Sequence, residues 1–138
     1  MPQEMDSTPI VLFVCIHNAG RSQMAEAFLN HLAEGKARAI SAGTSPSPSI
    51  NQTVVEAMRE VGIDITGKTP KKLTPVMIEK ASVTITMGCR AGLLVPAGFA
   101  RAEDWHLTDP QDEPLEKVRL IRDEVKRRVE GLLKDLGL

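Results

Sequence analysis

The chain contains no tyrosine, one tryptophan and three phenylalanines in 138 residues. A site walled by aromatic rings therefore has little material. Cysteine is scarce as well: Cys15 and Cys89 are the only two. Two cysteines do not make a disulfide framework, so a reducing compartment, the cytoplasm, is expected. Charge of one sign is missing too. Seventeen basic side chains stand against eighteen acidic ones, for a net charge of -1. That leaves no global positive field, and no nucleic-acid partner is expected. The longest apolar run, residues 10–16, is far too short to span a bilayer. The opening MPQEMDSTP has neither a basic n-region nor an apolar h-region. No secretory leader and no membrane partner are expected.

What is present fits one ordinary globular domain. Hydrophobic residues make up 42% and charged residues 25%, close to the soluble average. A chain of this length buries roughly two-thirds of its surface on folding. Residues 1–9 read as a flexible N-terminal tail and 10–138 as a single domain, with a monomer expected. The apolar run Ile10 to Val14 suits a strand buried on both faces. Met24, Ala25, Phe28, Leu29 and Leu32 predict a helix over 22–33 by their three-to-four spacing. Shorter strands are predicted at 39–41, 83–87 and, as a fourth, 104–107. Helices are predicted at 51–61, stopped by Gly62, and at 74–80, entered through Pro75. The last helix, 114–136, carries Leu115, Val118, Ile121, Val125, Val129, Leu132 and Leu136, at spacings of 3, 3, 4, 4, 3 and 4. Alternating strands and helices predict an α/β fold: a single three-layer domain with about four parallel strands and helices on both faces. Ligands of such folds sit at the carboxyl ends of the strands.

The chemically telling segment is Cys15-Ile16-His17-Asn18-Ala19-Gly20-Arg21-Ser22. It joins a buried strand to a helix. Such a loop curls with its backbone N–H groups inward, as an anion nest, and the helix N-terminus adds unpaired donors and partial positive charge. Arg21 can fork two oxygens of a tetrahedral oxyanion. Cys15 then lies beneath the centre of that anion, where the same donors stabilise its thiolate. Ser22 can add a hydrogen bond to the sulfur. Gly20 permits unusual backbone angles and Asn18 tolerates a left-handed one. The plain alternative is a structural cysteine before an ordinary turn, since C-x5-R alone arises by chance; its place between strand and helix favours chemistry. The same chemistry needs a proton donor for a leaving group. The residues alone leave Asp109, Asp112 and Glu113 as rivals. A zinc site from Cys15, His17 and Cys89 has a C-x-H spacing that matches no common pattern. No metal is expected.

The loop resembles the active-site loop of the low-molecular-weight protein tyrosine phosphatase superfamily, and within it the chain resembles the arsenate reductases more closely. The likeness extends beyond Cys-x5-Arg-Ser-Gln-Met-Ala-Glu at 15–26. Ser41-Ala42-Gly43-Thr44, Val61-Gly62-Ile63-Asp64-Ile65, Thr86-Met87-Gly88-Cys89 and Glu103-Asp104-Trp105-His106-Leu107-Thr108-Asp109-Pro110 come after it in the family's order. The resemblance implies that Cys15 attacks arsenate, held by residues 16–22, and that Asp109 supplies the proton. It also implies that Cys89 or an external thiol then releases arsenite. Phosphate and sulfate would enter as analogues. The alternative is a phosphatase that hydrolyses the cysteine intermediate with water. The phosphatases carry tyrosines just after Asp-Pro, whereas Asp109-Pro110 is followed here by Gln111 and Asp112. A phosphotyrosine ring would find few stacking partners, and the acidic mouth would repel phosphopeptides.

The chain departs from the thioredoxin-coupled pattern. Residues 90–96 contain no third cysteine, so the reductant stays open among thioredoxin, glutaredoxin with glutathione, and another low-molecular-weight thiol. No bound cofactor is expected. Gly20 stands where related enzymes often carry a second cysteine. Some relatives hold potassium beside the loop through an Asn, a Glu, a Ser and an Asp. Asn18, Glu26 and Ser41 match, and Lys71 stands at the fourth place. The resemblance therefore implies an ammonium group in place of the cation and no potassium dependence. Lys68, Lys71, Lys72 and Lys80 otherwise read as a solvated face.

Overall fold

A computed structural model describes residues 8–88 and 101–138. Four strands form one parallel sheet in the order β2-β1-β3-β4: β1 Ile10–Cys15, β2 Arg38–Gly43, β3 Val83–Thr86 and β4 Arg101–Asp104. The helices are α1 Arg21–Ala33, α2 Gln52–Glu60, α3 Pro75–Lys80 and α4 Leu115–Asp135.

The central strand explains the layers. Side chains alternate along a strand, and β1 is apolar at both parities because both its faces are covered. Val11, Phe13 and Cys15 join a core with Met24, Phe28 and Leu29 of α1, Val54 and Met58 of α2, and Val118, Val125 and Val129 of α4. Leu12 and Val14 turn the other way, against Ala81, Leu73, Met77 and Ile78. Burying a side chain such as Phe28 contributes about 1.5–3 kcal/mol.

Element boundaries follow local chemistry. Asn51 caps α2, its Oδ1 accepting from the N–H groups of Thr53 at 2.8 Å and Val54 at 3.3 Å. Thr74 does the same for α3, and Pro75 opens that helix. Glu60, at the end of α2, is gripped by two arginines of α4. Arg119 binds it with both Nε and Nη2, at 2.7 to 3.1 Å, and Arg122 Nη1 reaches it at 2.9 Å. The Arg119 hydrogen bonds, with Arg122 behind them, hold the Glu60 carboxyl down at about 2. Arg122 also donates to the Ala57 carbonyl at 2.9 Å, which closes the end of α2 onto α4.

The fourth strand is a correction. It lies at Arg101–Asp104 rather than 104–107, in register with Val83–Thr86. Trp105 and Leu107 make the later segment the more apolar of the two. An edge strand pairs through its backbone and needs no apolar run, so the polar sequence RAED serves. Trp105 still donates its N–H to the Thr86 carbonyl at 2.7 Å. Its ring then leaves the ladder for the core, 5.7 Å from Phe13. Cys89 and residues 1–7 of the expected tail lie outside the described residues.

Candidate active site

Cys15 ends β1 at the carboxyl edge of the sheet, 2% exposed. The chain then curls for five residues before α1 begins. The carbonyls of this curl all find partners outside it. Ile16 O accepts from Ser45 N at 2.8 Å, His17 O from Ser47 N at 3.0 Å, Ala19 O from Asn51 N at 3.0 Å and Gly20 O from Met24 N at 2.9 Å. Asn18 O accepts from Gln23 Nε2 at 3.2 Å. In a trans peptide the carbonyl and the following N–H point in opposite directions. Outward carbonyls at 16–20 therefore turn the N–H groups of residues 17–21 inward. One of them, Asn18 N–H, donates to Cys15 Sγ at 3.2 Å.

Asn18 makes the curl possible. It takes φ 51°, a left-handed angle that asparagine tolerates better than most residues. Its side chain is buried among polar partners: Nδ2 donates to Ser22 Oγ at 2.7 Å and Ser41 Oγ at 3.1 Å. Its Oδ1 accepts from Gln23 Nε2 at 3.0 Å and Lys71 N–H at 2.8 Å. Ser22 Oγ stands 2.9 Å from Cys15 Sγ. Because Ser22 already accepts from Asn18, its own proton is free to go to the sulfur. Nucleophile, serine and asparagine thus form one chain of hydrogen bonds.

Behind it sits a buried carboxylate. Glu26, 6% exposed, accepts from Ser41 Oγ at 2.5 Å and faces Lys68 Nζ at 3.3 Å and Lys71 Nζ at 3.9 Å. A buried charge needs such partners. Lys71 stands where expected. Lys68 is solvent-exposed, as expected, and also supplies the shorter of the two pairs. Lys72 hydrogen-bonds the Thr44 carbonyl at 3.2 Å.

Arg21, 5% exposed, opens α1 and bends back over the curl. Its Nη1 donates to the Leu107 carbonyl at 3.3 Å, and its Nη2 lies 3.5 Å from Asp109 Oδ2. Gly88 makes room for it: a Cβ there would come within 2.6 Å of Nη1, at a φ of +97°. His17 extends its ring to the rim, with Nδ1 3.8 Å from the same Asp109 oxygen. The other Asp109 oxygen accepts from Gln111 N–H at 3.0 Å. Gly20 receives Pro110 directly, since a Cβ on it would meet Pro110 Cγ at 2.6 Å.

These groups open on one cleft of about 440 Å³, lined on one side by Cys15, His17, Ala19 and Arg21 and on the other by Asp109, Gln111, Asp112 and Glu113. Ser47, Ser49, Ile50, Asn51, Gln52 and Thr53 also line it. Among the described residues, no phenylalanine, tyrosine or tryptophan lines it. All three rival carboxylates reach the rim, and Asp109 is the one that faces Arg21. Ile16 points outward at 36% exposure, so only its backbone belongs to the loop. Among the described residues, no three His, Cys, Asp or Glu side chains gather as a metal site. Two contributors are not evident from the sequence, Gln23 and Leu107. The signal for Gln23 is a fully polar side chain on the buried face of α1. A backbone carbonyl such as that of Leu107 leaves no signal.

A parallel α/β sheet whose first strand delivers a cysteine into an N–H nest closed by an arginine defines the class. The chain belongs to the low molecular weight phosphotyrosine protein phosphatase family, which it matches over residues 10–137. More particularly, it is 39% identical over 126 residues to the glutaredoxin arsenate reductase of Synechocystis, covering 89% of this chain and 95% of that one. A solved arsenate reductase in the phosphate-binding state superposes with a TM-score of 0.82 at 38% identity, over 92% of this chain and 98% of its own. A thioredoxin-dependent arsenate reductase of Corynebacterium glutamicum gives a TM-score of 0.81 at 34% identity, over 99% of this chain and 66% of that one.

Proposed function

We propose that the chain is an arsenate reductase whose nucleophile is Cys15. One observation carries this: the Cys15 sulfur lies under a curl whose carbonyls are all held outward. Five inward N–H groups and Arg21 are therefore preset for a tetrahedral oxyanion. Cys15 attacks arsenic and an As–O bond breaks. Asp109 gives the departing hydroxide its proton, so that it leaves as water. Arg21 and the loop N–H groups hold the charge that develops on the remaining oxygens. A second thiol then attacks the Cys15 sulfur. The S–As electron pair goes to arsenic, which falls from the +5 to the +3 state and leaves as arsenite. The disulfide left behind is reduced by two electrons from a thiol donor.

Cys89 is one source of the second thiol, and an external small thiol is the other. The donor is thioredoxin, glutaredoxin with glutathione, or another low-molecular-weight thiol. The Lys68 and Lys71 ammonium groups beside Glu26 support a loop that needs no potassium. The cleft, hydroxyl- and amide-rich and without a phenylalanine, tyrosine or tryptophan to stack on, supports a small inorganic substrate over a phosphotyrosine.

A single turnover without added reductant tests the reading. Fully reduced protein meets one equivalent of arsenate, arsenite is quantified, and cysteine peptides are mapped by mass spectrometry. Stoichiometric arsenite with a Cys15–Cys89 disulfide is the intramolecular outcome. Arsenite only after a small thiol is added assigns the second thiol to a partner. No arsenite in either case, with brisk hydrolysis of an aryl phosphate, overturns the reductase in favour of a phosphatase.

A further inference from the structure

Of the five outward carbonyls in the loop, four are held by backbone N–H groups and one by a side chain. Ser45, Ser47, Asn51 and Met24 supply the backbone donors. Asn18 O depends on Gln23 Nε2. We infer that Gln23 is a positioning residue that keeps the Asn18–Ala19 peptide turned so that the Ala19 N–H faces the oxyanion.

The geometry supports this in three ways. First, Gln23 is 1% exposed, the third residue of α1, and its amide nitrogen faces three oxygens: Asn18 O at 3.2 Å, Asn18 Oδ1 at 3.0 Å and Thr69 O at 3.3 Å. Three acceptors fix which end of the amide points there, because an oxygen in that place would face only oxygens. Second, Asn18 sits at φ 51°, so its flanking peptides carry strain that an outside tether must hold. Third, the Asn18 side chain has other anchors, whereas its carbonyl is held by Gln23. The Lys71 N–H, Ser22 and Ser41 keep the side chain in place. Without Gln23, the 18–19 peptide is free to turn and present an oxygen to the anion. The 17–18 peptide, whose N–H donates to Cys15 Sγ, stays tied through His17 O to Ser47. The loss therefore falls on anion affinity rather than on the sulfur.

This inference rests on the oxyanion role of the loop proposed above. The test is Gln23→Met, close in size and without a donor, in the full chain. Cys15 is alkylated with iodoacetamide at rising inorganic phosphate. A hydrogen bond to a charged group is worth about 10–100-fold in an equilibrium. The half-protecting phosphate concentration is expected to rise by about that factor. The alkylation rate without phosphate should change far less, by about threefold at most. Half-protection that stays within about twofold overturns the inference, as does a loss matched by an equal change in the phosphate-free rate. If phosphate fails to protect Cys15 in the unsubstituted protein, the oxyanion reading falls and this one with it. Protection there but no change in the variant overturns this inference alone. Should Gln23→Met not fold, amide NMR of the unsubstituted protein decides. Slowly exchanging Gln23 side-chain protons, with an Ala19 N–H that shifts on phosphate addition, support the tether. Freely exchanging ones overturn it.

Discussion

The two walls of the cleft are built differently. The 15–22 loop is buried at Cys15, Asn18, Gly20, Arg21 and Ser22, and the carbonyls of residues 16–20 are each tied from outside the curl. The 109–113 turn is half exposed; Gln111 N–H donates to Asp109, Glu113 N–H to the Pro110 carbonyl at 3.1 Å, and Pro110 sits on Gly20, while its contacts to Arg21, His17 and Asn51 are long, at 3.5 to 3.8 Å. Asp112 takes φ 62° there, a left-handed angle that glycine holds more easily. One wall is preset for charge and the other is able to adjust. That division suits a reaction in which the anion must be held throughout, while the acid meets only a departing oxygen.

Three substitutions sharpen the contrast. Asp109→Asn removes the acid and leaves the nest. Arsenite formation in a single turnover is expected to fall about 10²–10⁴-fold, with phosphate protection of Cys15 retained. Loss of protection in step with activity would merge the two walls into one unit. Gly20→Ala attacks the packed joint between them. The added methyl must displace Pro110, and with it Asp109, so a drop of about tenfold in the same assay is expected, on the scale of a misplaced catalytic group. An unchanged rate would show that the turn finds its place without Gly20. The smallest effect lies outside the cleft lining, where Glu60 clamps α2 to α4. Its carboxyl titrates at about 2 when folded, below the ordinary value near 4.3. A depressed folded value contributes stability in full above the unfolded value, and that stability fades as pH falls from about 4.3 through about 2. Arg119→Ala should therefore lower the melting temperature by a few degrees at neutral pH and by progressively less toward pH 2. The single-turnover rate at pH 7 should stay the same. A pH-independent shift would deny the ion pair its role.

Much of the molecule is legible in its sequence. The α4 stripe, Leu115 to Leu136, announces itself through helical period alone, and β1 through its apolar run. The oxyanion loop is contiguous, so its spacing is the site. What stays hidden is what comes from far along the chain. The Leu107 carbonyl, the Gly88 gap for Arg21 and the Ser45, Ser47 and Asn51 donors are backbone features of distant segments, and residue identity does not encode them. The pairing of the exposed Lys68 stays hidden because Glu26, its partner, is 42 residues away. The fourth strand is misplaced because pairing across an edge depends on backbone register, whereas Trp105 and Leu107 signal only burial.

A nest of fixed N–H groups measures size and charge. Arsenate and phosphate are nearly alike in both, so a loop tethered in advance has no means of preferring one at the moment of entry. On the proposed chemistry, selection is postponed until the anion is attached to the sulfur. Arsenic accepts an electron pair from the S–As bond, and phosphorus does not. On that chemistry phosphate would occupy the site and leave unchanged. In a phosphate-rich medium, the fraction of protein open to arsenate is set by that competition.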